Sequence, residues 1–423
     1  MKLQASLFSG AGFGDTGFRS AGLEHVLLAE IEPKRAALAR SNFGRAVHTI
    51  DVEAHVDPLI HHIERQLRER KETELFLLTA TPPCQGMSKN GIGSLIRSKA
   101  SGYRPEVDAR NRLYLPVLHA MRRLLPKWFF FENVCRMMNT FDADESGKSR
   151  LVTDLMSEQL WALGYEGCFQ QVELADFGLP QRRLRTVGLF RRGGRRQCNL
   201  LPAPTHSSNP VGSVRRWRTL REVLGHFPAL DAKGRRSSPV EGLELHRVPR
   251  WRDELYRWLA ATPEGQSAFE NDCPSCIIAN EKTLTHCRSC GEDLCRPTVV
   301  RDGVLQIISG FPSAYKRMYW DRPGSTVTTR SAYVCSDHKG HPEQHRVLST
   351  LEVAILQGID VSTYRWCMPD ESKMPQDTLL RDVIGECVPP LFTGLLGRHI
   401  QGLEDRHAPA SSQHTKAAQL TLL

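Results

Sequence analysis

The chain has 423 residues, 40% of them hydrophobic, and a formal net charge of +9. That length is enough for two domains and a sizeable core, no apolar run approaches a membrane span, and the basic excess suits a polyanionic partner. Twelve cysteines in a chain of this size do not form a small disulfide-stapled secreted scaffold; in a reducing compartment they serve as thiols, metal ligands or a nucleophile.

Met1-Lys-Leu-Gln-Ala runs directly into a strand, so no secretory signal is expected and a cytoplasmic location is. Strands are predicted at residues 2–8, 26–31, 47–50, 75–78, 128–131, 170–173 and 186–190. Helical patterns fall between them, for example at 33–42, 58–70 and 112–124. This alternation predicts an α/β fold with a doubly wound, Rossmann-like sheet, in which ligands bind outside the C-terminal strand ends. After Phe190 a basic, glycine-containing run, Arg191-Arg-Gly-Gly-Arg-Arg196, leads into a proline- and arginine-rich stretch. The alternation is lost until about Arg346. The expected organisation is a catalytic and cofactor-binding domain at 1–203 and a smaller inserted domain at 204–345. The chain then returns to the first domain at 346–402, with a helix over 390–402, and ends in a disordered tail at 403–423.

Several residues stand where strand ends would place them together. Phe8-Ser-Gly10-Ala-Gly12 follows the first strand and opens a helix, and glycines there let a ligand approach the backbone. Glu30 ends the second strand, where an acid can accept from two ribose hydroxyls, and Asp51 ends the third. Cys84 follows Pro82-Pro83 at the end of an apolar strand. Prolines fix φ, so this cysteine is positioned for attack rather than for the core. Glu132-Asn133-Val134 ends the next apolar strand, which puts a carboxylate beside a thiol; taken alone, Glu132 also suits a helix N-cap. In Gln181-Arg-Arg183-Leu-Arg185 an extended backbone would turn Arg183 and Arg185 to one side.

Further along, Cys273-Pro-Ser-Cys276 and Cys287-Arg-Ser-Cys290 have the spacing of a tetrahedral zinc site. His286 and Cys295 are possible substitutes as ligands. Four thiolates would leave no open position, which points to a structural metal. Arg215-Arg-Trp-Arg218 and Arg235-Arg236 suit either phosphate contacts or a solvated charge cluster.

Taken in order, these segments resemble the motifs of the DNA (cytosine-5) methyltransferase family along almost the whole chain. Phe8 to Gly12 looks like its cofactor loop, Pro82-Pro-Cys84-Gln85 its nucleophile motif and Glu132-Asn133-Val134 its acid motif. Gln181 to Arg185 resembles its paired-arginine motif, Arg346 to Glu352 with Leu356-Gln357-Gly358 the motif after the recognition region, and Gly385-Glu386-Cys387-Val-Pro-Pro390 its closing motif. The resemblance implies S-adenosylmethionine as methyl donor. Phe8, Gly10, Gly12, Glu30, Asp51, Pro82, Glu386 and Cys387 would line its site, with Ile31 and Val52 as apolar walls for the adenine. It implies attack by Cys84 on carbon 6 of a flipped cytosine and a hydrogen bond from Glu132 to ring nitrogen 3. Arg183 and Arg185 would bind the base carbonyl and a nearby carboxylate or phosphate. Gln85, Ser88 and Asn90 would face DNA, with residues 91–107 as a loop closing over the base.

Three places depart from the family pattern, the mildest being Ala80-Thr81, where paired glycines are usual before Pro-Pro-Cys. Phe13 stands where a second glycine is usual, and Glu386 where asparagine is usual. Glu386 is either a tolerated change or one that alters donor or base preference. The expected activity is sequence-specific methylation of double-stranded DNA by a compact bacterial monomer, in a restriction–modification system with a cognate endonuclease or as an orphan. An RNA cytosine-5 methyltransferase and a silent DNA-binding protein of the same fold are the alternatives. A tritium-transfer assay on tRNA against DNA separates the first, and the presence of covalent trapping eliminates the second.

Overall fold

A computed structural model of the chain describes residues 1–83, 112–144, 146–193, 198–309, 313–335, 337–369 and 374–407. Five strands carry the first half: β1 (Leu3–Leu7), β2 (Glu24–Glu30), β3 (Val47–Thr49), β4 (Leu77–Ala80) and β5 (Trp128–Val134). The helices α1 (Phe13–Ser20), α2 (Pro33–Phe43), α3 (Val56–Glu69) and α4 (Tyr114–Leu124) alternate with them. A small hairpin, β6 (Phe141–Ala143) and β7 (Ser149–Leu151), leads to α5 (Val152–Ala162), β8 (Tyr165–Glu173) and β9 (Leu184–Arg192).

The main sheet has seven strands in the order β3-β2-β1-β4-β5-β9-β8. β1 to β5 are parallel, while β9 runs antiparallel to both β5 and β8. Every residue of β1 and β4 is buried, as expected where helices cover both faces of a parallel sheet. The α/β, Rossmann-like expectation is therefore met. The antiparallel finish was not predicted, because a period of two is blind to strand direction. β8 also starts at Tyr165, five residues before the predicted 170. Its early half pairs with the last residues of β9, a long-range partner with no local signal.

β1 is flanked by β2 on one side and β4 on the other. The chain's winding reverses there, so the loops after β1, β2 and β4 open onto one crevice at the C-terminal sheet edge. The β1 and β4 loops are tied together: Thr81 donates through its backbone to Leu7 O at 3.2 Å and through its hydroxyl to Phe8 O at 2.9 Å.

The middle of the chain is sparse in regular structure. It holds the short pair β10 (His206–Ser207) and β11 (Arg215–Arg216), then α6 (Leu220–Leu224), α7 (Asp253–Ala260) and the hairpin β12 (Thr298–Arg301) and β13 (Val304–Ile307). Irregular backbone must still satisfy its carbonyls, and buried arginines do so here. Arg317 donates to the carbonyls of Leu259, Thr262, His341 and Gln344, each at 2.7 Å. Arg296 serves the carbonyls of Asn271, Asn280 and Leu284 in the same way.

Three helices close the chain: α8 (Thr350–Leu356), α9 (Asp377–Glu386) and α10 (Pro390–His407). α10 packs on α1. Thr393 Oγ1 donates to Gly14 O at 2.7 Å, and a Cβ on Gly17 would lie 2.1 Å from that same oxygen. The predicted return helix is thus present, but the disordered tail predicted from 403 is corrected. The helix continues to His407 because Leu403 packs on the core. In addition, Glu404 accepts from Trp128 Nε1 at 3.1 Å and pairs with Arg191 at 2.9 Å. Residues 408–423 lie outside the described part.

Candidate active site and zinc site

The glycine loop after β1 is built on left-handed turns. Phe8, Gly10 and Gly12 have φ of 61°, 57° and 76°. At Gly12 a side chain would in addition meet the Phe43 ring at 2.8 Å. The loop is fixed from β2: Ser9 N donates to Ala29 O at 2.9 Å, and Gly10 N to Glu30 Oε2 at 2.9 Å. The other oxygen of Glu30 accepts from Glu32 N at 2.8 Å. Glu30 is buried at the end of its strand, with lone pairs left on both oxygens. Asp51 uses one oxygen on Glu53 N at 2.9 Å. Val52 is buried and Ile31 is exposed. A glycine cradle with acids at two successive strand ends fits a nucleoside cofactor with free ribose hydroxyls.

Phe13 occupies its departure from the family pattern without strain. Its ring packs at 4.4 Å from Tyr364 and 5.6 Å from Trp366. Tyr364 also donates its buried hydroxyl to Ala11 O at 2.7 Å, between the two left-handed glycines. The segment carrying Tyr364 is pinned to α2, where Ser41 Oγ donates to Cys367 O at 2.6 Å and Asn42 accepts from Arg365 N at 2.9 Å. Tyr364 carries no sequence motif. Its one signal was Phe13, a large ring at a glycine position that required a partner.

Beside the loop, β4 and β5 run in register with Ala80 opposite Phe131. Asn133 Nδ2 crosses to donate to Pro82 O at 3.2 Å, and its Oδ1 accepts from Val134 N at 2.8 Å. Asn133 therefore fixes the buried Pro82, two residues before Cys84. Cys84, Gln85, Ser88, Asn90 and the loop at 91–107 lie outside the described residues.

Glu132 is buried and pairs with Arg185 Nε at 3.0 Å. Burial pushes its carboxyl above the usual range, while Arg185 and then Arg183 oppose that rise. A carboxyl balanced in this way can hold or share a proton. Arg185 lies on β9 opposite Val134.

Arg183 differs from the expectation that it reaches a base carbonyl. It is buried, donating to Val327 O at 2.9 Å, Cys387 O at 3.0 Å and Gly385 O at 3.3 Å. The carbonyls of Gly385 and Cys387 belong to the closing motif, where α9 ends and leaves them without helical partners, while that of Val327 comes from the stretch at 204–345. Gln181 completes the clamp, donating to Leu356 O at 2.6 Å and accepting from Val327 N at 2.9 Å.

In the closing motif, Glu386 Oε1 pairs with Arg35 Nε at 2.8 Å. A Cβ placed on Gly10 would lie 3.9 Å from that carboxylate oxygen. Burial raises the Glu386 carboxyl to about 7; Arg35 opposes this, and Glu30, Asp382 and Glu32 add to it. Cys387 lies beside it with its thiol pushed up to about 12, chiefly by burial. Arg35 was not anticipated, since one arginine on a helix face carries no distinguishing pattern.

The four predicted zinc ligands converge. Cys273, Cys276, Cys287 and Cys290 bring their sulfurs within 4.8 Å of one another. Three of the pairs measure 3.5, 3.5 and 3.6 Å. A tetrahedron of thiolates at zinc–sulfur distances of about 2.3 Å has edges of about 3.8 Å, so the arrangement fits zinc. Each knuckle turns through one left-handed residue, Ile277 in the first and Gly291 in the second. His286 pairs instead with Asp293 at 2.9 Å, and Cys295 is not in the cluster.

Arg215 and Arg216 are exposed on β11, while Arg218 is half-buried. Between them Trp217 donates to Asp176 at 2.8 Å and stacks under Arg182 at 4.7 Å. Arg235 and Arg236 are also exposed. No helix of the described residues is long and apolar enough to cross a membrane.

A family model described as C-5 cytosine-specific DNA methylase matches residues 4–402. The Type II methyltransferase M1.HgaI of Avibacterium volantium is 27% identical over 407 residues, covering 93% of this chain and 97% of its own. The Type II methyltransferase M1.HphI of Haemophilus parahaemolyticus is 28% identical over 389 residues, covering 91% and 83% respectively. Among solved structures, a mutant of Spodoptera frugiperda DNMT2 superposes with a TM-score of 0.54 at 14% identity, covering 95% of this chain and all of that one; the likeness is one of fold.

Proposed function

The chain belongs to the C-5 cytosine-specific DNA methylase family, and on that premise we propose how its own residues carry out the reaction. It is a DNA methyltransferase that modifies carbon 5 of cytosine. S-adenosylmethionine, the donor its fold family uses, supplies an electrophilic methyl group. Glu30 and the left-handed loop at Gly10 and Gly12 hold the nucleoside part of the donor, with Asp51, Ile31 and Val52 at the adenine. Cys84, carried on the loop after β4, forms a sulfur–carbon bond at carbon 6 of an extruded cytosine. Glu132 donates its proton to ring nitrogen 3, so the ring electrons are released toward carbon 5, which takes the methyl group. A water then takes the carbon-5 proton, the sulfur–carbon bond breaks with its electrons returning to Cys84 as thiolate, and ring nitrogen 3 gives its proton back to Glu132. Arg185 holds Glu132, and Asn133 holds Pro82 and thereby the start of the Cys84 loop. Arg183 is a positioning residue, joining β9 to the closing motif.

The observation that carries this reading is Glu132. It is a buried carboxyl at a strand end, raised by burial and held by Arg185, beside the strand that leads to the cysteine.

We further read residues 1–203 with 346–407 as the catalytic body and 204–345 as the target-recognition region. The four-cysteine site binds structural zinc there, and Arg215, Arg216, Arg218, Gln85, Ser88 and Asn90 contact duplex DNA. Likeness to two Type II methyltransferases supports a role in a restriction–modification system with a cognate endonuclease. A monomer acting in the cytoplasm, at the nucleoid, suits that role.

The test is methylation sequencing of DNA from cells expressing the chain, beside Cys84→Ser. Modified cytosines in one fixed context, absent with Cys84→Ser, are expected and would also reveal the target site. No modification by the folded, zinc-loaded wild type would overturn the reading.

A further inference from the structure

We propose that Glu386, held by Arg35 over the glycine loop, makes the donor pocket selective for the charge of the cofactor, favouring the cationic sulfonium donor over its neutral thioether product. This rests on the reading of that loop as the S-adenosylmethionine site.

Three observations converge on one backbone position. Gly10 donates its N–H to Glu30 at 2.9 Å on one side. On the other, the Glu386 carboxylate lies 3.9 Å from where a Gly10 Cβ would stand. The Arg35–Glu386 pair, at 2.8 Å, leaves both side chains partly open, 28% and 30% exposed. The charged groups bearing on Glu386 come from every neighbouring element: Glu30 on β2, Glu32 and Arg35 at α2, and Asp382 on α9, with the Cys387 thiol alongside. Arg330 bears in turn on Asp382. Burial, with the three acids added to it, opposes the carboxylate form of Glu386 against the pull of Arg35. A positive charge on a bound ligand relieves that opposition, and a neutral ligand of the same shape does not.

The methyl donor and its demethylated product differ at the sulfur by one unit of charge and one methyl group. Both carry the same amino-acid and nucleoside parts. A carboxylate facing the bound ligand therefore separates them by charge, and an uncharged amide in its place would not. Such selectivity speeds exchange of product for fresh donor. The carboxylate form grows as pH rises through about 7, so the preference for the cation should rise over the same interval.

The experiment is calorimetric titration of the full-length, zinc-loaded protein, without DNA, with S-adenosylmethionine and with S-adenosylhomocysteine from pH 6 to 8.5. In the wild type, the ratio of product Kd to donor Kd should climb about three- to tenfold across that range, the worth of one nearby charge in a partly open site. Glu386→Gln should flatten the climb and hold the ratio at its low-pH value. Arg35→Gln should move the climb to higher pH, since removing the guanidinium leaves the acids unopposed. A wild-type ratio independent of pH would overturn the inference without recourse to any variant, as would an unaltered climb in Glu386→Gln. Failure of the wild type to bind either ligand would instead overturn the donor-site reading, and this inference with it.

Discussion

The donor-side edge of the sheet and the four-cysteine knuckle are held by different forces. At the sheet edge, polar side chains are buried on backbone partners supplied by a large apolar core. Glu30 takes two backbone amides, Arg183 three carbonyls and Tyr364 one carbonyl. The knuckle has almost no core of its own: its buried cluster consists of Cys273, Cys287 and Leu294. A shape fixed by many weak contacts should lose stability in small steps. On the zinc reading proposed above, a shape fixed chiefly by one ion should be lost all at once.

Metal removal tests this difference most severely. Structural zinc in small sites supplies roughly 10 kcal/mol or more of apparent folding energy, and on the zinc reading proposed above it would be the main support of the knuckle beside the carbonyl contacts of Arg296. Chelation under reducing conditions should open residues 273–295 to proteolysis and abolish specific DNA binding. The Kd for S-adenosylmethionine should change less than about twofold. Cys287→Ser should reproduce the effect. Equal loss of donor binding and DNA binding would show that the two regions are not independent.

The buried pair Arg346–Glu352, at the start of α8, is the next largest effect. Both side chains are 1% exposed, with Nη1 and Nη2 on the two carboxylate oxygens at 2.6 and 2.8 Å. Glu352 also accepts from Ser349 N at 2.6 Å, closing the capping box of α8. Removing one partner of such a pair costs about 3–5 kcal/mol, so Glu352→Gln should lower the denaturant midpoint of the catalytic body sharply. The pair also sets an acid limit. Arg346 brings the Glu352 carboxyl down to about 2, overcoming its burial, against a model-peptide value of about 4.3. A carboxyl depressed on folding contributes stability that is complete above its unfolded value and is lost as pH falls through its folded value. Wild-type stability should therefore decline between about pH 4.5 and 2 by about 3 kcal/mol from this group. Glu352→Gln should lack that component, as urea titrations across the interval would show.

The two regions also differ in how much of them could be read from the sequence. β2 and β4 were legible because a strand buried on both faces reads as a nearly continuous apolar run, and β1 was legible although the buried Gln4 and Ser6 interrupt its run. The knuckle was legible because metal geometry fixes ligand spacing. Cys84 and Glu132 were expected at neighbouring strand ends, but the pairing of Glu132 with Arg185 depends on the antiparallel course of β9, which was not legible. The pairing of Arg183 with the carbonyls of Val327, Gly385 and Cys387 was not legible, since those partners are 144 to 204 residues away and a carbonyl leaves no trace in residue type. The ordered end of α10 was missed for a related reason. Glu404 reads as a polar tail residue until Trp128 and Arg191 are seen beside it.

The smallest effect separates contact from shape at the sheet edge itself. Tyr364→Phe keeps the ring stacked on Phe13 and Trp366 and removes only the hydroxyl that serves Ala11 O. A neutral hydrogen bond of this kind contributes about 1 kcal/mol. If it merely stabilises the fold, the variant should melt slightly earlier, with donor affinity unchanged. If it holds the cradle at Gly10 and Gly12 in its binding shape, most of that energy should appear in the Kd for S-adenosylmethionine, weakened about three- to fivefold, with kcat at saturating donor unchanged. The second outcome is expected, because the carbonyl it holds lies between two residues whose left-handed φ is otherwise free to relax in glycine. Tyr364→Leu, which also removes the ring, should then lower both affinity and stability. Equal affinity in wild type and Tyr364→Phe would instead assign the cradle's shape to Glu30 and the β2 backbone alone.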